Sequence, residues 1–150
     1  MRTLFFFSFF MLFITSLDAK QPDVLSNHRM ILLADMGNEP DEEQQITHLM
    51  LYSNEFDIKG LIAVTGKFLN PQSGDPYKQV LHPELISGII NGYSRVIDNL
   101  KKHAAGWPEP DYLHSVVASG QPEYGVTGIG PGKSSSGSEL IIENLLNEDP

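Results

Sequence analysis

The chain contains no cysteine, which excludes a disulfide scaffold and any thiolate-ligated metal centre. Basic residues are also scarce. Ten Lys+Arg stand against 19 Asp+Glu, for a net charge of −9. Phosphate recognition needs clustered Lys and Arg, so neither nucleic acid nor an anionic membrane surface is an expected partner. Repeats and extended low-complexity tracts are absent as well. What remains is an ordinary globular composition, 41% hydrophobic and 19% charged over 150 residues. That is too apolar for a disordered chain and about the length of one domain.

A single long run is apolar apart from Ser8, from Leu4 to Ile14, preceded by Arg2 and followed by Thr15 and Ser16. Eleven residues rise only about 16 Å as a helix, against a bilayer core of about 30 Å. Leu17 and Ala19 fit the −3 and −1 positions of a cleavage site before Lys20. Residues 1–19 therefore read as a secretory signal peptide, predicting a secreted or periplasmic protein with no membrane attachment after cleavage. Removing one base, Arg2, and one acid, Asp18, leaves the net charge at −9. Residues 20–28 read as a polar leader.

The rest alternates. Arg29–Ala34 is a short apolar run without period-2 alternation, as in a strand buried on both faces. Pro40 then opens a helix over about 41–53, with Asp41, Glu42 and Glu43 in its first turn and Ile46, Leu49, Met50 and Phe56 as its buried stripe. Ile58–Thr65 is a second buried strand, and residues 66–82 form a long loop. Pro83–His103 reads as one helix. Residues 106–137 are loop-rich apart from an apolar island at Val116–Ala118, and Ser138 is the candidate N-cap of a last helix, Glu139–Leu146. Strands separated by helices predict an α/β fold with a parallel sheet. Two strands cannot cover three helices, so the chain is expected to be the N-terminal part of a larger, C-terminally truncated domain.

The acidic turn after the first strand holds the chemistry. Asp35 ends a buried strand, and Asn38, Glu39, Asp41, Glu42 and Glu43 follow within eight residues. Ligand crevices of open parallel sheets lie outside the carboxyl ends of their strands. Carboxylates gathered there repel one another unless protons or a cation neutralise them. Oxygen donors without Cys or His point to Ca²⁺ or Mg²⁺, and mixed Asp/Glu lengths suit the flexible Ca²⁺ shell better. Glu43 reads as a solvated first-turn charge.

The segments LLADMGNEPDEEQQ, LYSNEFDIKGLIAVT and SGQPEYGVTGIGPGKSSSGSELIIENL resemble bacterial secreted proteins described as cellulose-binding with a nucleoside-hydrolase-like N-terminal domain. The likeness runs in order through nearly all of residues 28–150. More distantly, the acidic turn is similar to the D-x-D-P-G-x-D-D signature of nucleoside N-ribohydrolases. The resemblance implies a Rossmann-like sheet flanked by helices, with residues 29–150 as the N-terminal part of that domain. It also implies roles: Asp35 as calcium ligand and general base, Glu42 as second metal ligand, and Asp41 as a ribose contact. Asn38 and Lys67 complete the candidate substrate-binding set, the ligand being a nucleoside or a carbohydrate. The sequence departs from the hydrolase pattern. Leu33 replaces its first Asp, Glu39-Pro40 lengthens the turn by two residues, Glu42 replaces an Asp, and Lys67 stands where hydrolases carry a sugar-contacting Asn. The implied activity is hydrolysis of N-glycosyl bonds through a metal-activated water, incomplete and inactive in this piece alone. The alternative is a non-catalytic carbohydrate (cellulose)-binding protein.

Other signals are weaker. Gly130–Ser134 imitates a phosphate loop, but Thr127 occupies the position of its first Gly and Pro131 removes an N–H. The five histidines (His28, His48, His82, His103 and His114) form no zinc motif. Trp107 reads as a satellite-core anchor and Gln121–Tyr124 as a packed turn.

Overall fold

The computed structural model describes residues 28–147. The segment expected to be a signal peptide, all but the last residue of the expected leader, and residues 148–150 lie outside the described residues. Three strands, β1 (His28–Ala34), β2 (Phe56–Ala63) and β3 (Val117–Ser119), form one sheet in the order β1-β2-β3, with both pairings parallel. Among the described residues five α-helices accompany them: α1 (Pro40–Met50), α2 (Pro83–Ser94), α3 (Ile97–Leu100), α4 (Pro110–Ser115) and α5 (Ser136–Leu146). Among the described residues no helix is long and apolar enough to cross a membrane.

Alternation along β2, shifted by one residue where Lys59 falls between the Met30–Ile58 and Ile31–Gly60 pairs, divides the core between two faces. Ile58, Leu61 and Ala63 join Met36, Ile46, Met50, Ile86, Ile90 and Leu113 in one buried cluster, which seats α1, α2 and α4 on one side. Gly60 and Ile62 face the other side, where a Cβ on Gly60 would stand 3.2 Å from Leu140 and one on Gly137 2.5 Å from Ile62. α5 therefore lies directly on the strand. Arg29 Nη1 also donates to the Asn144 carbonyl at 3.0 Å, tying α5 to the start of β1. The β1–β2 register slips between Met30 and Ile31, so that Ile31 pairs with Gly60 and Ala34 with Ala63. Both strands therefore end together, beneath the acidic turn.

The α/β class with a parallel sheet flanked by helices is what the sequence pattern predicts; several details differ. β1 starts one residue earlier, at His28. Phe56 belongs to β2, paired with His28, because a short 3-10 turn at Ser53–Glu55 ends the helical segment first. The apolar island supplies the third strand, one residue later than its hydrophobic pattern suggests. The single helix over Pro83–His103 breaks at Arg95-Val96, where Arg95 N–H bonds the Gly92 carbonyl and Val96 N–H the Tyr93 carbonyl. These three-residue spacings tighten one turn while Tyr93 and Ile97 both stay buried. A hydrophobic stripe is blind to such a break. Ser138 is not the N-cap of α5. Ser135 is, in a reciprocal capping box: Ser138 N–H donates to Ser135 Oγ at 3.2 Å, and Ser135 N–H to Ser138 Oγ at 2.8 Å.

Candidate functional site

Asp35 is the first residue after β1, and the chain turns sharply behind it. Met36 is fully buried and anchors the turn, while Gly37 adopts φ +85°, a region closed to most side chains. Asn38 closes the turn twice. Its N–H donates to the Asp35 carbonyl at 3.0 Å, and its Nδ2 to Asp35 Oδ2 at 3.0 Å. On the other side, Gly66 follows the end of β2 so closely that a Cβ there would collide with the Asp35 carboxyl group. The carboxylate is thus fixed between an amide donor and a bare stretch of backbone.

Pro40 then starts α1, with Asp41, Glu42 and Glu43 in its first turn. Glu42 turns back towards Asp35, and its Oε2 is buried with no hydrogen-bond partner among the described residues. Burial pushes the Glu42 carboxyl above its ordinary value; a backbone hydrogen bond opposes this, and Asp35 and then Asp41 add to it. The pair lines a cavity of about 350 Å³ together with Leu33, Gln45, Ile46 and Leu49. Leu33 and Asp35, two residues apart, share the same side of the chain.

The remaining candidates separate. Asp41 is exposed at the helix start and lines neither this cavity nor its neighbour. Lys67 is exposed, its ammonium 5.1 Å above the Phe68 ring, in a second, open cleft of about 600 Å³ that it shares with Asn38, Glu39, Asp75 and Lys78. Asn38 lines the second cleft and bonds Asp35, which lines the first. The structure therefore brings Asp35, Asn38 and Glu42 together, places Lys67 in the second cleft, and leaves Asp41 in solvent.

Four contributors escape a sequence reading. Gly66 sits in a run where the only cue is a glycine after a strand. Lys78 donates to the Asn38 carbonyl at 2.7 Å from 40 residues away, a contact with no local signature. Tyr77 and His82 stack with ring centroids 4.0 Å apart behind Gly37. By contrast Lys133, in the phosphate-loop imitation, pairs with Glu123 at 2.8 Å, and Trp107 packs against the core while its Nε1 donates to the Ala104 carbonyl.

Donor chemistry decides whether these residues suit calcium. Two carboxylates meet, one with a buried unpartnered oxygen, and no nitrogen or sulfur ligand competes. Yet among the described residues no group of three or more His, Cys, Asp or Glu could hold a metal ion. Calcium takes six to eight oxygens, so Asp35 and Glu42 suit one part of such a shell.

Residues 29–150 match the family described as cellulose-binding Sde182, nucleoside hydrolase-like domain. The chain belongs to this family. A solved structure of a nucleoside hydrolase-related protein from Saccharophagus degradans, associated with carbohydrate metabolism, is 38% identical with a TM-score of 0.72. The match covers 83% of this chain and 28% of that one, so the chain spans little more than a quarter of its solved relative. No curated protein matches significantly.

Proposed function

We propose that the chain supplies part of a hydrolytic site for N-glycosyl bonds of nucleosides or related glycosides, assembled around Asp35. The observation that carries this reading is the contact between a carboxylate fixed at a strand end and Glu42, whose buried oxygen has no partner. Such a pair stays uncompensated unless a proton or a cation joins it. Asp35 and Glu42 would hold Ca²⁺, and the rest of the shell comes from groups other than these two. When bound, the ion supplies Lewis acidity that eases deprotonation of a water. The chain's own part is positional and acid–base. Asn38 fixes the Asp35 carboxylate through Oδ2, leaving its other oxygen to accept a proton from the attacking water. The C–N glycosidic bond would then break through an oxocarbenium-like transition state, whose positive charge the anionic corner favours, as the water oxygen bonds the anomeric carbon and the departing nitrogen takes a proton from solvent. Asn38 and Lys67, which line the second cleft, are the proposed substrate contacts; the contact implied for Asp41 has no cavity behind it among the described residues. The signal-like residues 1–19 support a secreted or periplasmic setting.

The test is a chimera in which residues 28–147 replace their counterpart in the S. degradans protein. Release of reducing sugar from nucleosides, lost in Asp35→Asn at retained thermal stability, supports the reading. Turnover unchanged in that variant rejects Asp35 as the base. The family description and the open polar cleft beside Lys67 favour a second reading, carbohydrate binding without turnover. Retention on insoluble cellulose without soluble product would select it.

A further inference from the structure

His82 is the N-cap residue of α2, and its side chain is only 6% exposed. Both ring nitrogens face oxygen acceptors: Nδ1 lies 2.7 Å from Glu84 Oε1 and Nε2 2.8 Å from the Tyr77 carbonyl. A neutral imidazole carries one N–H and satisfies one of the two; the imidazolium satisfies both. The ring stacks on Tyr77 at an interplanar angle of 20°. Its Cδ2 edge would stand 2.7 Å from a Cβ on Gly37, so it forms the wall against which the turn closes. The residue after Tyr77, Lys78, reaches the Asn38 carbonyl directly. One short 3-10 turn, Pro76–Gln79, thus grips the Asp35–Asn38 turn twice, once through Lys78 and once through His82.

We propose that His82, held as an imidazolium between Glu84 and the Tyr77 carbonyl, is a positioning residue that clasps the β2–α2 loop onto the Gly37 turn, and that losing its proton loosens the turn presenting Asp35 and Asn38. Burial works against the charged ring, but the Tyr77 carbonyl and Glu84 outweigh it and hold the ring above its usual 6.5. Burial likewise opposes the Glu84 charge, and His82 overrides it to hold Glu84 below its usual 4.5. The His82 contribution is complete below pH 6.5 and fades as pH rises through the higher folded value. The Glu84 contribution is complete above pH 4.5 and fades as pH falls through the lower folded value. Other ionisable groups on the packed elements look elsewhere: Lys78 is taken by Asn38, and Asp35 by the Asn38 amide. Glu84 alone acts on the charge of the ring. The clasp does not depend on the hydrolytic reading, since it is observed on the turn itself.

Nitrogen-15 NMR of the imidazole, with the Gly37 and Asn38 amides followed from about pH 5 upward, tests it. The expected result is a ring protonated on both nitrogens at the acidic end, and Gly37 and Asn38 amides that shift with the midpoint of the ring. In Glu84→Gln that shared midpoint falls towards 6.5, and in His82→Gln the amide step that shares the midpoint of the ring disappears, leaving only steps that the ring does not follow. A singly protonated ring at the acidic end, amides that stay still while the ring titrates, or an amide midpoint unmoved in Glu84→Gln overturns the proposal. If His82→Gln does not fold, Glu84→Gln decides alone.

Discussion

Replacing Glu42 by Gln should make the protein more stable at neutral pH. The buried Oε2 has no partner, and Asp35 and Asp41 both oppose a charge on this carboxyl group. An unsatisfied buried acceptor costs about 1–3 kcal/mol. Gln keeps the shape, removes the repulsion, and can donate an N–H to Asp35. A loss works in the opposite direction, because a negative charge in the first turn of α1 is worth about 0.3–1 kcal/mol against the helix dipole. The raised pKa of Glu42 says which wins: the fold disfavours the ionised form overall. A net gain of about 1 kcal/mol follows, a rise of roughly 4 °C in melting temperature for a domain of this size. The sign with pH is equally definite. A carboxyl whose folded pKa is raised carries no penalty below its unfolded value of 4.5, and accumulates one as pH climbs through the interval above it. The stability gap between wild type and variant should therefore widen as pH rises from 4.5 through the raised folded value of Glu42. A variant less stable at neutral pH, or a gap that does not change with pH, would refute the reasoning.

Gly66→Ala forces Asp35 off its seat against the backbone and strains its charged bond from Asn38, a loss of about 2 kcal/mol measurable by urea denaturation. Leu33→Asp places a third carboxylate on the side of the chain shared with Asp35. It should lower stability without calcium, and should tighten calcium binding about tenfold by calorimetry, or about 1.4 kcal/mol. Ser135→Ala removes the cap accepting from Ser138 N–H and should cost about 1 kcal/mol, with lost amide protection confined to the start of α5.

The apolar runs at residues 29–34 and 58–65 and the stripe of α2 reveal the fold class, although only the central strand β2 is buried as its composition predicts; β1, at the edge of the described sheet, is half-buried and Leu33 is exposed. Boundaries are less legible where local bonds decide them. The Arg95-Val96 break and the exchange of N-cap from Ser138 to Ser135 both turn on single hydrogen bonds that leave the hydrophobic pattern unchanged. At the site, Asp35, Asn38 and Glu42 are readable because they lie within eight residues of one another. Glu42, unlike Glu43, faces Asp35 with a buried, unpartnered oxygen, and only the rotation of α1 sets that difference. Lys78 and His82 reach the same turn from 40 or more residues away, carried there by a loop whose path no periodicity records.

Everything about the acidic corner converges on one question, whether Asp35 and Glu42 jointly take a divalent cation. Anomalous scattering from crystals soaked in calcium answers it most directly. The account predicts a peak about 2.3–2.6 Å from carboxylate oxygens of both residues, absent in Asp35→Asn. A corner without a peak, or calcium that binds elsewhere while Asp35 turns to solvent, would contradict it.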